Sequence, residues 1–196
     1  TEPRDPKPTV DFIDVYCAYY QDLFPEVRSF ENFKDLHVGI LSNLKRKSLP
    51  EIAKVVGLDD AQSLHHFLRD SPWSADELGN RRLQRILETL ASRSITLIID
   101  ETGDPKEGRT TDYVKRQYLG NLGKVDNGIV VVTSYGIIEN MTFPLIFKVY
   151  KPHERLKEGD EYKTKPEIAT EIIRELVSKG FKIELVLADS LYGESG

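Results

Sequence analysis

The stretch GIVVVTSYGIIENMTFPLIFKVYKP, residues 128–152, contains two β-branched, apolar runs that meet at Glu139 and Asn140. This join is too short to hold a helix, so the two runs predict adjacent antiparallel strands that form a hairpin. A sheet with such a hairpin is not wholly parallel. The hairpin therefore restricts the folds that the flanking sequence can complete.

The segments on both sides of the hairpin predict the rest of a mixed sheet. ITLIID, residues 95–100, is a short β-branched run that ends in an acid, and a long polar loop is expected at 101–127. A Thr164–Glu167 capping box predicts a helix that ends at Gly180, and IELVLAD, residues 183–189, is typical of a buried strand. The order strand, loop, strand, strand, helix, strand predicts the opening half of a ribonuclease-H-like fold, with an antiparallel hairpin and a crossover helix.

Two carboxylates occupy matching places in this order. Asp100 ends the first predicted strand and Asp189 ends the fourth, and these two strands are neighbours in a ribonuclease-H-like sheet. Adjacent acids repel one another unless a proton or a cation lies between them. Oxygen ligands suit Mg²⁺ or Mn²⁺, and a pair of such ions supports phosphoryl transfer on a nucleic-acid backbone. Alternatively, each aspartate only caps the turn that follows its strand.

A second enzyme class also fits part of this region. IIDETGD, residues 98–104, resembles the aspartyl-phosphate motif of haloacid-dehalogenase-like phosphatases, in which Asp100 would be a nucleophile and Thr102 would follow it. That reading needs a parallel, Rossmann-like sheet, and the predicted hairpin argues against it.

Residues 9–93 have helical rather than strand periodicity. We therefore predict a helical region over 1–94, which is a candidate DNA-binding region, and a sheet region over 95–196 that holds the candidate catalytic aspartates, which together make an α+β or α/β protein. The short helices at 48–69 have helix-turn-helix proportions and make Gln62, His65 and Arg69 candidate DNA-binding residues. The alternative is a helical bundle in which this pair only packs.

Composition is that of a soluble, cytoplasmic protein. The chain has 196 residues, 39% of them hydrophobic and 30% charged, with one cysteine, Cys17. It has neither a signal peptide nor an apolar run long enough to span a membrane. The net charge of −5 argues weakly against nucleic acid, but local basic clusters at 45–47 and 81–85 are compatible with DNA contacts.

Three motifs resemble those of one known family. DETGDPKEG at 100–108, VKRQYLGNLGKVDN at 114–127 and VLADSLYG at 186–193 resemble the catalytic domain of bacterial insertion-sequence transposases with an Asp-Asp-Glu triad. This group is also called the DDE-superfamily endonucleases. The helical segment AQSLHHFLRDSPW at 61–73 is similar to that family's N-terminal region, so the resemblance covers the chain from about residue 30 onward.

The resemblance implies a three-acid catalytic site with two bound Mg²⁺ or Mn²⁺ ions. Asp100 and Asp189 match the first and second acids, and the third, a glutamate, belongs on a helix well downstream. Glu194 is too close to Asp189 to be that residue, and Glu101 is expected on the opposite face of its strand from Asp100. We therefore expect this chain to be truncated before the third acid and inactive alone.

The resemblance also implies partners and a reaction. The full protein would cleave double-stranded DNA at insertion-sequence ends and join the 3′-hydroxyl to target DNA as a homodimer, in the bacterial nucleoid. Cations of the 101–127 segment would lie near the two acids and contact DNA, with Lys106, Arg116 and Lys124 favoured over Arg109 and Lys115. The alternative is a non-catalytic DNA-binding remnant or inhibitor derived from a transposase.

Overall fold

The computed structural model describes residues 4–108 and 110–192, so Arg109 and Glu194 lie outside the described residues. The chain forms two compact units, which divide between Arg82 and Leu83. The division falls inside a helix, α5 (Ala75–Leu90). The functional boundary at residue 94 stays a prediction. No helix of the described part is long and apolar enough to cross a membrane.

The first unit is helical and has an aromatic core. Its helices are α1 (Asp11–Ala18), α2 (Val27–Leu41), α3 (Leu49–Val55), α4 (Gln62–Asp70) and the first part of α5, with a short 3-10 helix at Gln21–Leu23. Phe24 packs against Phe33 with 4.8 Å between ring centroids, and Phe67 stacks on Trp73 at 5.3 Å. Phe24, Phe33 and Phe67 are buried, so aromatic burial dominates the stability of this unit.

The predicted pair of short helices over 48–69 corresponds to α3 and α4. Residues 56–61 connect them, and Gly57 lies in this connection with φ +76°, a left-handed conformation that favours glycine. Ser48 is the N-cap residue of α3, but its side chain accepts no capping hydrogen bond. By contrast, the capping box between Thr164 and Glu167 has both of its hydrogen bonds.

The second unit contains a five-stranded mixed sheet. Its strands are β1 (Ile95–Pro105), β2 (Lys115–Leu119), β3 (Lys124–Ile138), β4 (Met141–Val149) and β5 (Ile183–Ala188), and helix α6 (Lys165–Ser178) connects β4 to β5. β3 and β4 form the predicted antiparallel hairpin, and β1 pairs with β5 in parallel. The mixed α+β class and the partial ribonuclease-H-like order are confirmed. The antiparallel pairing of β1 with β3 does not fit the phosphatase alternative.

The prediction of a long loop over residues 101–127 is wrong. β1 continues past Asp100 to Pro105, and β2 forms a further hairpin with the first residues of β3. β1 pairs with β3 from Gly128 to Ile137, while β2 and β4 pair with successive stretches of the other edge of β3. Much of the expected loop is therefore a continuation of the sheet.

The two faces of the sheet differ in what covers them. Ile95, Leu97 and Ile99 of β1 are buried in a core that includes Ile172 and Leu176 of α6. Residues with the opposite orientation in the strands lie on a face that exposes apolar side chains. These include Tyr135 at 37%, Phe147 at 70%, Leu185 at 51% and Leu187 at 46% exposure.

Strand β5 is not the buried strand that its composition predicts. Val186, on the face that α6 covers, is 41% exposed. Leu185 and Leu187, on the opposite face of the sheet, are exposed as well. The reason is its position, because β5 pairs only with β1 within the described residues and ends the strand order. An apolar run of this kind does not by itself distinguish an interior strand from an edge strand.

Candidate active site

The structure brings Asp100 and Asp189 together. In the parallel register Ile98 is paired with Leu187 and Ile99 with Ala188, so Asp100 and Asp189 are the next residues of the two neighbouring chains. Neighbouring strands are about 4.8 Å apart, and residues paired in this way point to the same face of the sheet. Both aspartates are exposed, on the face opposite to α6.

Each carboxylate is oriented by the residue that follows it. Asp100 Oδ1 accepts a hydrogen bond of 2.8 Å from the amide of Glu101. Asp189 Oδ1 accepts hydrogen bonds from the amide of Ser190 at 2.5 Å and from its hydroxyl at 3.1 Å. The bonds use one oxygen of each carboxylate, and the second oxygen of each forms no hydrogen bond to the described part of the chain.

The two carboxylates lack a neutralising partner. Within residues 4–108 and 110–192, no lysine, arginine or histidine forms an ion pair with Asp100 or Asp189. Two adjacent, exposed carboxylates with free oxygens are a donor set that fits a hard divalent cation such as Mg²⁺ or Mn²⁺. The set is small, because no group of three His, Cys, Asp or Glu residues suited to a metal occurs among those residues.

Glu101 lies beneath the pair, on the opposite face of the sheet. Its Oε2 is 2.5 Å from Nζ of Lys165, the first residue of α6, in an ion pair without hydrogen-bond geometry. The two side chains are 17% and 20% exposed, and Lys165 Nζ also lies 5.7 Å from the centre of the Tyr150 ring. Glu101 thus lies on the face that the alternation of its strand predicts, whereas Lys165 was not predicted, because its pairing depends on the position of α6.

Tyr192 lies near carboxylates of both faces of the sheet. Its hydroxyl is buried and has no hydrogen-bond partner within the described chain, and the residue packs at the margin of the sheet core. Burial, followed by the negative charges of Glu101, Asp100 and Asp189, raises the pKa of Tyr192 to about 12. The phenol is therefore protonated at neutral pH and is available as a hydrogen-bond donor next to three carboxylates.

The cations predicted to surround the acids lie elsewhere. Lys106 follows the end of β1, six residues beyond Asp100, which is about 20 Å along an extended strand. Arg116 is paired with Asn127 in the same distant part of the sheet, and Lys124 starts β3. Lys106 forms an ion pair of 2.5 Å with Asp104, and Lys124 one of 2.8 Å with Asp126. The prediction that these cations lie near the two acids is wrong, because much of the segment expected to be a loop forms extended strands.

The candidate DNA-binding residues of the helical unit are all on α4 and all exposed. Gln62 is the first residue of the helix, and His65 follows one turn later. Arg69 is tied to its neighbour Asp70 by two hydrogen bonds of 2.9 Å, which must open before Arg69 can contact a base or phosphate. A role for these three residues in DNA binding stays a prediction.

Comparison with known proteins agrees with the paired acids. The family model described as DDE superfamily endonuclease matches residues 21–196. The chain belongs to the DDE endonuclease superfamily. It is 66% identical over 195 residues to a protein of Microchaete diplosiphon named "Probable transposase for insertion sequence element IS701". That match covers 100% of this chain and 51% of the relative, so the chain spans about half the length of that relative. No solved structure matches the chain.

Proposed function

We propose that the full-length protein is a transposase that cleaves DNA at the ends of an insertion sequence and joins the freed 3′-hydroxyl to target DNA. The observation that carries this proposal is the pair Asp100 and Asp189. The two exposed carboxylates are adjacent on one sheet face, and the described chain provides no cation to neutralise them. Membership of the DDE endonuclease superfamily agrees with this assignment.

In this proposal Asp100 and Asp189 hold Mg²⁺ or Mn²⁺. When bound, a pair of such ions activates the attacking water or 3′-hydroxyl and stabilises the leaving oxygen of an in-line phosphoryl transfer. The backbone amides of Glu101 and Ser190 hold one oxygen of each carboxylate in place, and the remaining oxygens face the solvent. Glu101 is kept away from the ions by its position on the other face, where Lys165 neutralises it.

DNA contacts are assigned to two surfaces. Lys106, Arg116 and Lys124 lie on the extended part of the sheet, where they would contact phosphates at a distance from the cleaved bond. Gln62, His65 and Arg69 would contact the duplex from α4. These contacts need double-stranded DNA, and we place their site of action in the bacterial nucleoid, with a homodimer acting on paired ends.

The 196-residue chain has two of the three acids that the family uses, so we propose that it does not cleave DNA efficiently alone. A second candidate function follows from the same observation. A chain that keeps the DNA-contacting surfaces but holds metal ions weakly would bind insertion-sequence ends and inhibit the full-length protein. The test adds the 196-residue chain to a cleavage reaction of the full-length protein. An inhibitor lowers the cleavage rate in proportion to its occupancy of the insertion-sequence ends, whereas an inactive chain that does not inhibit leaves the rate unchanged.

The test of the catalytic assignment uses the full-length protein and labelled DNA that carries the insertion-sequence ends. Asp100→Ala and Asp189→Ala are each expected to lower Mg²⁺-dependent cleavage by more than about 100-fold, the upper end of the loss caused by residues that only support a metal ligand. Asp104→Ala is the matched control, because Asp104 lies on the same strand and is exposed but pairs with Lys106. Undiminished cleavage by either Asp100→Ala or Asp189→Ala would exclude this site.

A further inference from the structure

A polar cleft lies in the helical unit, between the first turns of α2 and α4. Its cavity has a volume of about 290 Å³. Arg28, Asn32 and Ser63 also line a neighbouring cavity of about 640 Å³, so the two spaces are contiguous. The residues that line the smaller cavity include Glu26, Arg28, Asn32, Gln62, Ser63 and His66.

Two helix N-termini meet at this cavity. α2 has 15 residues and α4 has 9, and in neither helix does the N-cap residue, Glu26 or Ala61, form a side-chain capping hydrogen bond. No acidic residue belongs to the first turn of either helix, but Asp60, just before α4, accepts a hydrogen bond of 2.8 Å from the amide of Gln62, so the site must use the amides that follow. The first amides of a helix have no acceptor within the helix and carry its positive dipole end, so an anion is favoured where two such ends converge.

Asn32 gives an independent indication of a ligand. The residue is 6% exposed, lines both cavities, and has a side-chain amide without a hydrogen-bond partner anywhere in residues 4–108 and 110–192. Its amide atoms are not among the fully enclosed, unpaired polar atoms of the described residues, so they open onto the cavities, where a ligand can supply the hydrogen bonds that the protein does not. An amide that is left unpaired at the junction of two cavities is available to a molecule that enters them.

Arg28 supplies a positive charge at the same place. It is exposed and forms no ion pair with the described residues, whereas Arg4 and Lys34, which line the neighbouring cavity, are already paired. Arg4 binds Glu31 through two hydrogen bonds of 2.6 and 2.7 Å, and Lys34 binds Asp14 at 2.8 Å. The guanidinium of Arg28 is thus an unpaired cation at the smaller cavity, where His66 is a second basic side chain and Glu26 is the opposing charge.

We propose that this cleft binds a phosphate group, and that the group is a backbone phosphate of duplex DNA. Arg28 and the two helix ends provide the charge, and Asn32 and Ser63 provide hydrogen bonds. This inference rests on the proposed function for its choice of DNA. DNA is favoured over free phosphate because Gln62 belongs both to the cavity and to the exposed α4 surface, with His65 and Arg69 beyond it. A phosphate in the cleft would fix the position of α4 on the duplex without reading its sequence.

The test measures binding of the 196-residue chain to insertion-end duplex and to random duplex over a range of salt concentrations. Arg28→Gln is expected to weaken binding to both duplexes equally and to reduce the slope of log K against log salt by about 0.9, the value for one phosphate contact. Asn32→Asp places a negative charge in the cleft and is expected to weaken binding by at least about tenfold. Glu26→Gln is expected to act in the opposite direction and strengthen binding. Arg174→Gln, which removes an exposed arginine of α6, is the matched control and leaves the slope unchanged.

The outcomes separate this inference from the proposed function. If the wild-type chain binds DNA and Arg28→Gln and Asn32→Asp leave both affinity and salt slope unchanged, the cleft proposal is wrong while DNA binding stands. If the wild-type chain binds no duplex, both proposals are wrong for this chain. A parallel titration follows the amide resonances of Ser29 and Ser63 with inorganic phosphate as the probe. Shifts with phosphate that Arg28→Gln removes, without any effect of that variant on DNA affinity, support an anion site and overturn DNA as its source.

Discussion

At the scale of single residues, the candidate site depends on how neighbouring charges are separated. Asp100 and Glu101 are consecutive in β1, and the alternation of the strand sends them to opposite faces. Glu101 is partly buried and paired with Lys165, whereas Asp100 is exposed and unpaired. Strand alternation thus leaves two carboxylates for a cation on one face, and Lys165 neutralises the third on the other.

Replacing Lys165 tests this arrangement. Lys165→Met leaves Glu101 charged, partly buried and unpaired, and is expected to lower the free energy of unfolding by about 1–3 kcal/mol. This is less than the loss at a fully buried pair, since both side chains retain some solvent contact. Urea denaturation measures the change, and adding Glu101→Gln to the same chain should restore most of the stability.

The control for Lys165 is an exposed pair of the same kind. Lys54 and Glu51 are 2.7 Å apart with side chains 71% and 42% exposed, so Lys54→Met should change stability by no more than about 0.5 kcal/mol. Equal effects of Lys165→Met and Lys54→Met would show that Lys165 does not neutralise a buried charge.

At the scale of elements, helix packing reverses the usual effect of a glycine. Gly39 lies within α2, where alanine normally stabilises a helix by about 0.5–1 kcal/mol. A Cβ at Gly39, however, would lie less than 3.0 Å from three side-chain carbons of Ile52, which is 2% exposed on α3. Gly39→Ala is therefore expected to destabilise the helical unit by about 1–3 kcal/mol, because α2 and α3 must separate.

Gly79→Ala is the matched control for Gly39→Ala. Gly79 lies in α5, and no atom lies within 4 Å of the position of its Cβ, so the same substitution should raise stability by a few tenths to about 1 kcal/mol. Thermal unfolding of the two variants should shift the midpoint in opposite directions. A rise in midpoint for Gly39→Ala would mean that α2 and α3 are not in close contact at this position.

The elements also show which parts of the fold the sequence could predict. The β3–β4 hairpin and α6 were predictable, because apolar periodicity and a capping box mark them locally. β2 and the extension of β1 were missed, because their residues are polar and become strands only through pairing with distant partners. A local signal did exist, since Gly120–Gly123 joins β2 to β3 and Gly123 has φ +62°, a connection typical of a hairpin.

The candidate site was predictable to a similar extent and for similar reasons. The pairing of Asp100 with Asp189 follows from the strand order, which the hairpin and crossover helix determine. The role of Lys165 and the cleft at Arg28 and Asn32 depend on how helices pack, and the sequence around these residues has no distinguishing spacing. The expected position of Lys106 was wrong because it relied on a loop that bends back, whereas β1 continues straight.

At the scale of the whole molecule, the chain has two separate cores. The buried cluster of the helical unit and that of the sheet unit have no residue in common. Helix α5 contributes to both, since Leu78 packs against the first cluster while Leu83 and Leu90 belong to the second. A loss of packing in one core should therefore lower the stability of its own unit. The two halves of α5 should be destabilised by different substitutions.

Native-state hydrogen exchange tests this division. Phe67 is 1% exposed, so Phe67→Ala is expected to destabilise the helical unit by about 3–5 kcal/mol. Because stability is local to cooperative units, amides of α2, α4 and the start of α5 should exchange faster, while those of β1 and β3 keep their protection. Ile172→Ala, in the sheet core, should produce the reverse pattern and affect only the later turns of α5. If Phe67→Ala accelerated exchange in β1 and β3 as much as in α2, the two units would unfold as one. The prediction that each core stabilises only its own unit would then be wrong.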